Sequence, residues 1–139
     1  MARILAVDDE PGMLKLLAMI VREKTPHVVE ATNNPVEAVQ IVRRGGIDLV
    51  VADLKMPGLD GSELLAAVKA VRRELPVIII TAYGTEEASA ETTEKGAFDF
   101  IMKPFRKEQI LLAIDRALKW SELQEENVAL KEKLKGEAG

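Results

Sequence analysis

Apolar residues along this chain fall into short runs separated by amphipathic stretches, and the two kinds of segment alternate almost from end to end. RILAV (3–7), IDLVVA (47–52), PVIII (76–80) and FDFIM (98–102) read as strands, with a shorter one in HVVEA (27–31). IDLVVA is apolar on both faces, as expected of a strand covered by helices on both sides. A first helix is predicted from Pro11, a residue favoured at the first helical position, with Leu14, Leu17, Ala18 and Val21 as its apolar stripe. Asn34, Pro35 and Glu37 supply a cap, a first-turn proline and a capping-box partner for a second helix that stops at Gly45-Gly46. Met56-Pro57-Gly58 and Asp60-Gly61 form a turn-rich loop. Asp60 and Glu63 sit at capping-box spacing before a helix carrying Leu64, Leu65, Val68 and Val71. Thr85 caps a further helix that runs to Gly96. Five β/α pairs with right-handed crossovers predict a doubly wound α/β fold with a five-stranded parallel sheet.

Two helices stand apart. Residues 86–95 (EEASAETTEK) contain no large apolar side chain, so burial there rests on Ala88, Ala90 and the methyls of Thr92 and Thr93. Such a helix belongs at the low end of local stability, either as a plain surface helix or as a bistable element. The last helix is expected to pass Leu118 and continue to about Lys135 without Gly or Pro. Trp120, Leu123, Asn127, Leu130 and Leu134 alternate spacings of three and four, which is an a/d seam. Leu at d and one Asn at a favour a parallel two-stranded pairing, with Glu126 and Lys131 attracting across it. About two heptads are marginal by themselves.

The bulk numbers narrow the class. A chain of 139 residues, 47% hydrophobic and 30% charged, suits one soluble globular domain with a real core. A net charge of −4 argues against direct nucleic-acid binding by this segment. Without cysteine there is neither a disulfide framework nor a thiolate metal site. A strand so close to the N-terminus leaves no room for a signal peptide, and no apolar run approaches the roughly 20 residues needed to span a bilayer. A cytoplasmic protein is expected.

The chemistry lies where the strands end. Asp8 and Asp9 close the first, Asp53 the third, Thr81 the fourth and Lys103 the fifth. In a doubly wound sheet, ligands bind beyond the carboxyl ends of the strands at the point where the order reverses. By analogy with the order 2-1-3-4-5, that point lies between strands 1 and 3, the two that carry the aspartates. Three carboxylates, a hydroxyl and an ammonium on one rim suit a divalent cation and a phosphoryl group. Two unit charges about 5 Å apart repel by roughly 3 kcal/mol at an effective dielectric of 20, so at least one carboxyl pKa should rise. Lys103 and a hard cation offset that repulsion. His27 is the only histidine; it precedes strand 2 and reads as a surface residue away from the rim.

Together, Asp8-Asp9-Glu10, Asp53 in DLKMPGLDG, Thr81 in TAYG and Lys103-Pro104 resemble the motif set of a response-regulator receiver domain, over residues 3–118. The resemblance implies that Asp53 accepts a phosphoryl group from a sensor histidine kinase. It implies Mg2+ bound directly by Asp9 and Asp53, through water by Asp8, and by the backbone carbonyl of Lys55. Thr81 and Lys103 would contact the phosphoryl oxygens, and Lys103-Pro104 would be cis. Phe100 occupies the switch position that is often tyrosine in the family, so rotation remains available without a phenol hydrogen bond. Tyr83 and Lys55 flank the path of an attacking water. TAYGTEEA, KGAFDFIMKPF and LQEENVALKEKL further resemble sigma-54-dependent transcription activators of the nitrogen-regulation type. In that light residues 119–139 are a helical linker and short coiled coil, the chain a homodimer, and the output domain absent from it. The rivals are a stand-alone regulator acting through protein contacts and an aspartate-nucleophile phosphohydrolase. Dehalogenase-type phosphatases carry Asp-x-Asp after the first strand, which this chain lacks, so a switch rather than a turnover enzyme is expected.

Overall fold

In the computed structural model the strands pair in parallel in the order β2-β1-β3-β4-β5. Residues 1–56 and 60–138 are described, the last twelve as backbone alone, so Pro57 and Gly58 of the expected turn lie outside the described residues. The elements in chain order are β1 (Arg3–Val7), α1 (Pro11–Lys24), β2 (Val28–Thr32), α2 (Pro35–Arg44) and β3 (Leu49–Ala52). They continue as α3 (Gly61–Val71), β4 (Val77–Thr81), α4 (Glu86–Glu94), β5 (Asp99–Met102) and α5 (Lys107–Ala138).

Successive side chains of a strand point to opposite faces, and both faces here are apolar. Leu5, Val7, Val50 and Ile79 face α2 and α3, while Ile4, Ala6, Val51 and Ile78 face α1 and α5. Each layer is closed by helix stripes, such as Leu64, Leu65 and Val68 on one side and Ile110, Ile114 and Ala117 on the other. On α1 the buried residues are Leu17, Ile20 and Val21, so Ile20 takes a place in the stripe and Ala18 is only half-buried. On α3, Val71 sits at the edge and is exposed.

The helix starts follow the caps, with one substitution of partners. Asn34 Oδ1 accepts from the N–H groups of Val36 (2.9 Å) and Glu37 (3.3 Å). The Asn34 N–H itself donates to Thr32 Oγ1 at 3.1 Å, which replaces the reciprocal bond expected from Glu37. Asp60 and Thr85 cap α3 and α4 through Glu63 N (2.8 Å) and Ala88 N (3.0 Å). The α2 stop requires glycine, because Gly45 and Gly46 have φ of 85° and 88°.

Helix α4 is held even more thinly than its sequence suggests. Thr92 alone is buried, Ala88 is half-buried, and Ala90 and Thr93 face solvent. The Thr92 hydroxyl turns back onto the carbonyls of Ala88 (3.0 Å) and Ser89 (3.1 Å), so no side chain of α4 reaches far into the core.

One expectation about the far end of the sheet changes. His27 is half-buried rather than a surface residue, because its Nδ1 accepts the Ala2 N–H at 3.0 Å. It adjoins the start of β1, opposite the strand ends that carry the acidic residues. The C-terminal helix runs unbroken from Lys107 to Ala138. Trp120, the first residue of the expected seam, is half-buried with its ring centroid 5.7 Å from that of Phe98. Leu123 is 59% exposed, whereas the side chains of Asn127, Leu130 and Leu134 lie outside the described residues.

Candidate functional site

Ladder bonds running one residue past the strands assemble the rim. Val7 pairs with Ala52 across β1 and β3, and the Asp53 N–H donates to Val7 O at 3.0 Å. The Asp8 N–H donates to Thr32 O at 3.3 Å on the other flank. Across β4 and β5, Thr81 pairs with Met102, and the Lys103 N–H donates to Thr81 O at 2.8 Å. By this register Asp8 and Asp53 sit level, with Thr81 one residue and Lys103 two residues further out on the same rim. The Lys103-Pro104 peptide is cis, as the resemblance implied.

Lys103 crosses the rim as its central cation. Its Nζ lies 2.9 Å from Asp8 Oδ2, 3.3 Å from Asp53 Oδ2 and 3.6 Å from Glu10 Oε1. Asp8 and Asp53 are each only 3% exposed, so both charges are taken out of water. The second oxygen of each is held by backbone: Glu10 N donates to Asp8 Oδ1 at 3.0 Å and Lys55 N to Asp53 Oδ1 at 3.3 Å. Asp8, Asp9, Glu10 and Asp53 each offer an oxygen, all within 4.8 Å of one another, the donor set a hard divalent cation requires.

Glu10 is the member of this set to which sequence reasoning gave no role. It stands at the N-cap of α1 without a capping side-chain bond, so its carboxylate is available to the rim instead. Its adjacency to Asp8-Asp9 was the one available signal.

Burial pushes the Asp8 carboxyl up, and the nearby Asp53 charge adds to this; the Glu10 N–H and Lys103 pull it back only in part. Burial acts to lower Lys103, but its hydrogen bonds and charge attraction with Asp8 and Asp53 outweigh that, and its pKa stands above the ordinary value. The two directions have different first causes: burial raises Asp8, whereas the carboxylates around Lys103 raise the ammonium against its own burial. The signs then differ. Lys103 contributes stability below the ordinary lysine range, near pH 10.4, and this is lost as pH rises through its folded pKa. Asp8 works against folding at neutral pH, and that penalty is relieved as pH falls through its raised pKa. Metal-free protein should therefore lose melting temperature more steeply above about pH 10.4 than Lys103→Met does. Parallel alkaline curves for the two proteins would show that Lys103 contributes no such term.

Thr81 is fully buried, and its Oγ1 accepts the Tyr83 N–H at 3.1 Å. That leaves the hydroxyl proton to be donated, although among the described residues no carboxylate accepts it. Phe100 is half-buried and packs against the core layer of α2 and α3. It lies beneath the β4–α4 loop, where a Cβ on Gly84 would stand 2.9 Å from Phe100 Cε1 and closer still to Met102 Sδ. Gly61 is constrained in the same way, because a Cβ there would come within 2.6 Å of Leu54 Cα, directly behind Asp53. Neither glycine's role was visible in the sequence, since each depends on which backbone or ring comes close.

Outside the buried pair, the rim opens into a cavity of about 420 Å3 lined by Asp9, Glu10, Asp53, Lys55, Met56, Asp60 and Tyr83. Lys55 Nζ sits 4.6 Å from the centroid of the Tyr83 ring. The ammonium and the ring thus stand together at the mouth, a cation–π pair in reach of solvent.

Comparison with known proteins agrees with this geometry. Residues 4–115 match the response regulator receiver domain, and the chain belongs to that family. It is 39% identical over 120 residues to the transcriptional regulatory protein GlrR of Escherichia coli, covering 86% of this chain and 27% of that protein. It is 35% identical to the chemotaxis protein CheY of Listeria monocytogenes, covering 86% of this chain and 100% of that one. Among solved structures, NtrX from Brucella abortus superposes with a TM-score of 0.86 at 34% identity, over 94% of this chain and 30% of that one. The chain therefore spans about a quarter of the length of GlrR and under a third of NtrX. No described helix is long and apolar enough to cross a membrane.

Proposed function

We propose that this chain is a phosphorylation-controlled switch, in which Asp53 accepts a phosphoryl group from the phosphohistidine of a sensor kinase. A carboxylate oxygen of Asp53 bonds to phosphorus as the phosphorus–nitrogen bond breaks, giving an acyl phosphate on Asp53 and a neutral histidine on the kinase. The observation that carries this reading is Lys103 bridging Asp8 and Asp53 among four converging carboxylates. Such transfers need positioning and charge stabilisation rather than covalent chemistry from the protein.

Asp9, Asp53 and the backbone carbonyl of Lys55 would hold magnesium, with Asp8 acting through water; the ion supplies neutralisation of the incoming charge. Lys103 exchanges its Asp53 contact for a phosphoryl oxygen, and the Thr81 hydroxyl donates to another. Drawing Thr81 inward shifts the loop over Gly84, beneath which Phe100 lies, and the thinly held α4 follows. Glu10, poised on Lys103, restrains the lysine before the phosphoryl group arrives.

The output we infer is control of transcription through a domain joined by α5, in a cytoplasmic homodimer paired along the Leu123, Asn127, Leu130 and Leu134 seam. Light scattering should show weaker dimerisation after deletion of residues 127–139; an unchanged dimer removes the coiled-coil argument. The second reading is a single-domain regulator that acts by binding a protein, favoured by the match over the whole length of the Listeria chemotaxis protein. A longer parent reading frame separates the two.

Tyr83 and Lys55 at the cavity mouth tune the lifetime of the phosphoryl group by limiting the approach of water. Tyr83→Ala should speed loss of the phosphoryl group severalfold in a discontinuous assay. A rate equal to wild type sinks that role.

A further inference from the structure

The first turns of the linker helix do not leave the domain at Leu118. Trp120 packs on Phe98, the residue leading into β5, with rings tilted by 48° and centroids 5.7 Å apart. Lys69 of α3 also reaches the indole, its Nζ 6.0 Å from the ring centroid. That ammonium is pinned by the carbonyls of Leu75 (2.7 Å) and Arg73 (3.2 Å). Its stem borders Gly96, where a Cβ would lie 3.3 Å from Lys69 Cε. Ser121, the next residue on α5, is 5% exposed. One turn further on, Glu125 Oε1 accepts from Arg72 Nη2 at 3.1 Å, while Arg72 Nη1 donates to Ile47 O at 2.9 Å. The helix is thus fastened at two points, Trp120 against Phe98 of the α4–β5 turn and Lys69 of α3, and Glu125 against Arg72 at the end of α3.

The same sequence places Trp120 at the first a position of the pairing seam. A residue cannot fill a knob position between two helices while its ring lies against Phe98 and Lys69 of its own domain. We propose that Trp120, with the Arg72–Glu125 pair, forms an intramolecular latch that withholds the start of α5 from pairing with a second copy of this chain. The latch meets the α4–β5 turn at Phe98, and the Lys69 stem borders Gly96 in the same turn, so a shift of the thinly held α4 bears on the seat of Trp120. Opening it adds the first a position to a seam that otherwise begins at Leu123. This rests on the pairing and phosphoacceptor readings above, and its test separates the three.

Trp120 is the only tryptophan, so fluorescence of the full chain reports on this seat alone. Two variants weaken the latch without touching the rim. Glu125→Gln removes an exposed charge, and Phe98→Leu removes the aromatic pair while keeping an apolar side chain. In dilute monomer, both should raise acrylamide quenching of Trp120. Each should also tighten the dimer dissociation constant about twofold to fivefold, the size of a single exposed ion pair or aromatic contact. Quenching unchanged in both variants overturns the latch; raised quenching with an unchanged dissociation constant overturns the competition for Trp120. Treatment of wild type with acetyl phosphate and magnesium should raise quenching in the same way. If mass measurement shows a phosphorylated protein whose quenching has not moved, the link to the rim is overturned while the phosphoacceptor reading stands. If no phosphoryl group is found, it is that reading which fails, and the two variants still decide the latch. A dimer that survives deletion of residues 127–139 removes the pairing reading separately.

Discussion

Asp53→Asn should abolish the gain of one phosphoryl mass that wild type shows after treatment with a small phosphodonor and magnesium. The amide is nearly isosteric, and its oxygen can still accept the Lys55 N–H that now reaches Asp53 Oδ1 at 3.3 Å. It lacks the nucleophilic carboxylate and contributes no charge to a cation. The fold should survive, because two opposed changes accompany the substitution. Lys103 loses its 3.3 Å partner at Asp53, and Asp8 loses a repelling neighbour. Charges about 5 Å apart repel by roughly 3 kcal/mol at an effective dielectric of 20, comparable to the attraction forfeited, so the melting temperature should move little. Intact-protein mass spectrometry decides the matter: equal phosphoryl incorporation in wild type and variant would refute Asp53 as the acceptor.

Lys103→Met should produce the largest loss of stability of any single change at the rim. The lysine side chain is 9% exposed, and its two partners, Asp8 and Asp53, are 4% and 3% exposed at the side chain. Methionine fills similar space but leaves two buried carboxylates facing each other without a counter-charge. Removing one partner of a buried ion pair costs about 3–5 kcal/mol. For a domain of this size that corresponds to a fall in melting temperature on the order of 10 °C or more. The deficit should shrink as pH is lowered from 7 to 5, since protonating Asp8 relieves the repulsion once its already raised pKa is pushed higher still. Added magnesium should also shrink it, because a divalent cation replaces the missing positive charge. Thermal melts at the two pH values, with and without magnesium, test this. A deficit below about 1 kcal/mol, the range of a surface pair, would show that the ammonium is not the neutralising charge of the rim.

These effects are large because the rim concentrates like charge where solvent cannot screen it. That property also explains why Glu10 matters. It is exposed and 3.6 Å from Lys103 Nζ, so it adds charge without adding burial and gives the lysine a third partner while the phosphoryl group is absent. A neutral rim would bind a cation less strongly.

How legible each part was depended on how local its cause is. The strand runs, the Asn34, Asp60 and Thr85 caps and the glycine stop of α2 were readable because each is decided within a few residues by hydrogen bonding or steric freedom. Asp8, Asp53, Thr81 and Lys103 were readable because a parallel sheet places all strand ends on one side. The failures share the opposite character. Glu37 was expected to close a capping box, but Thr32, already at the end of β2, satisfied the same N–H first. Ala90 and Thr93 were expected to be buried, but α4 turns only Thr92 fully inward. His27 was read as a surface residue because nothing nearby in sequence reveals that Ala2 comes back against it.

Trp120 shows the division best. By itself the sequence determined the fold class, the rim and a long uninterrupted last helix, because periodicity and the residues ending each strand suffice for those. It also determined a heptad register in which Trp120 is free to pair. Only the tertiary structure decided that Phe98 of the α4–β5 turn and Lys69 of α3 meet on that indole, and that Lys103 joins Asp8 more closely than Asp53. The reason is physical: local patterns fix which face of an element is apolar, whereas the neighbour that covers it, and the charge that faces it, are set by how the elements pack.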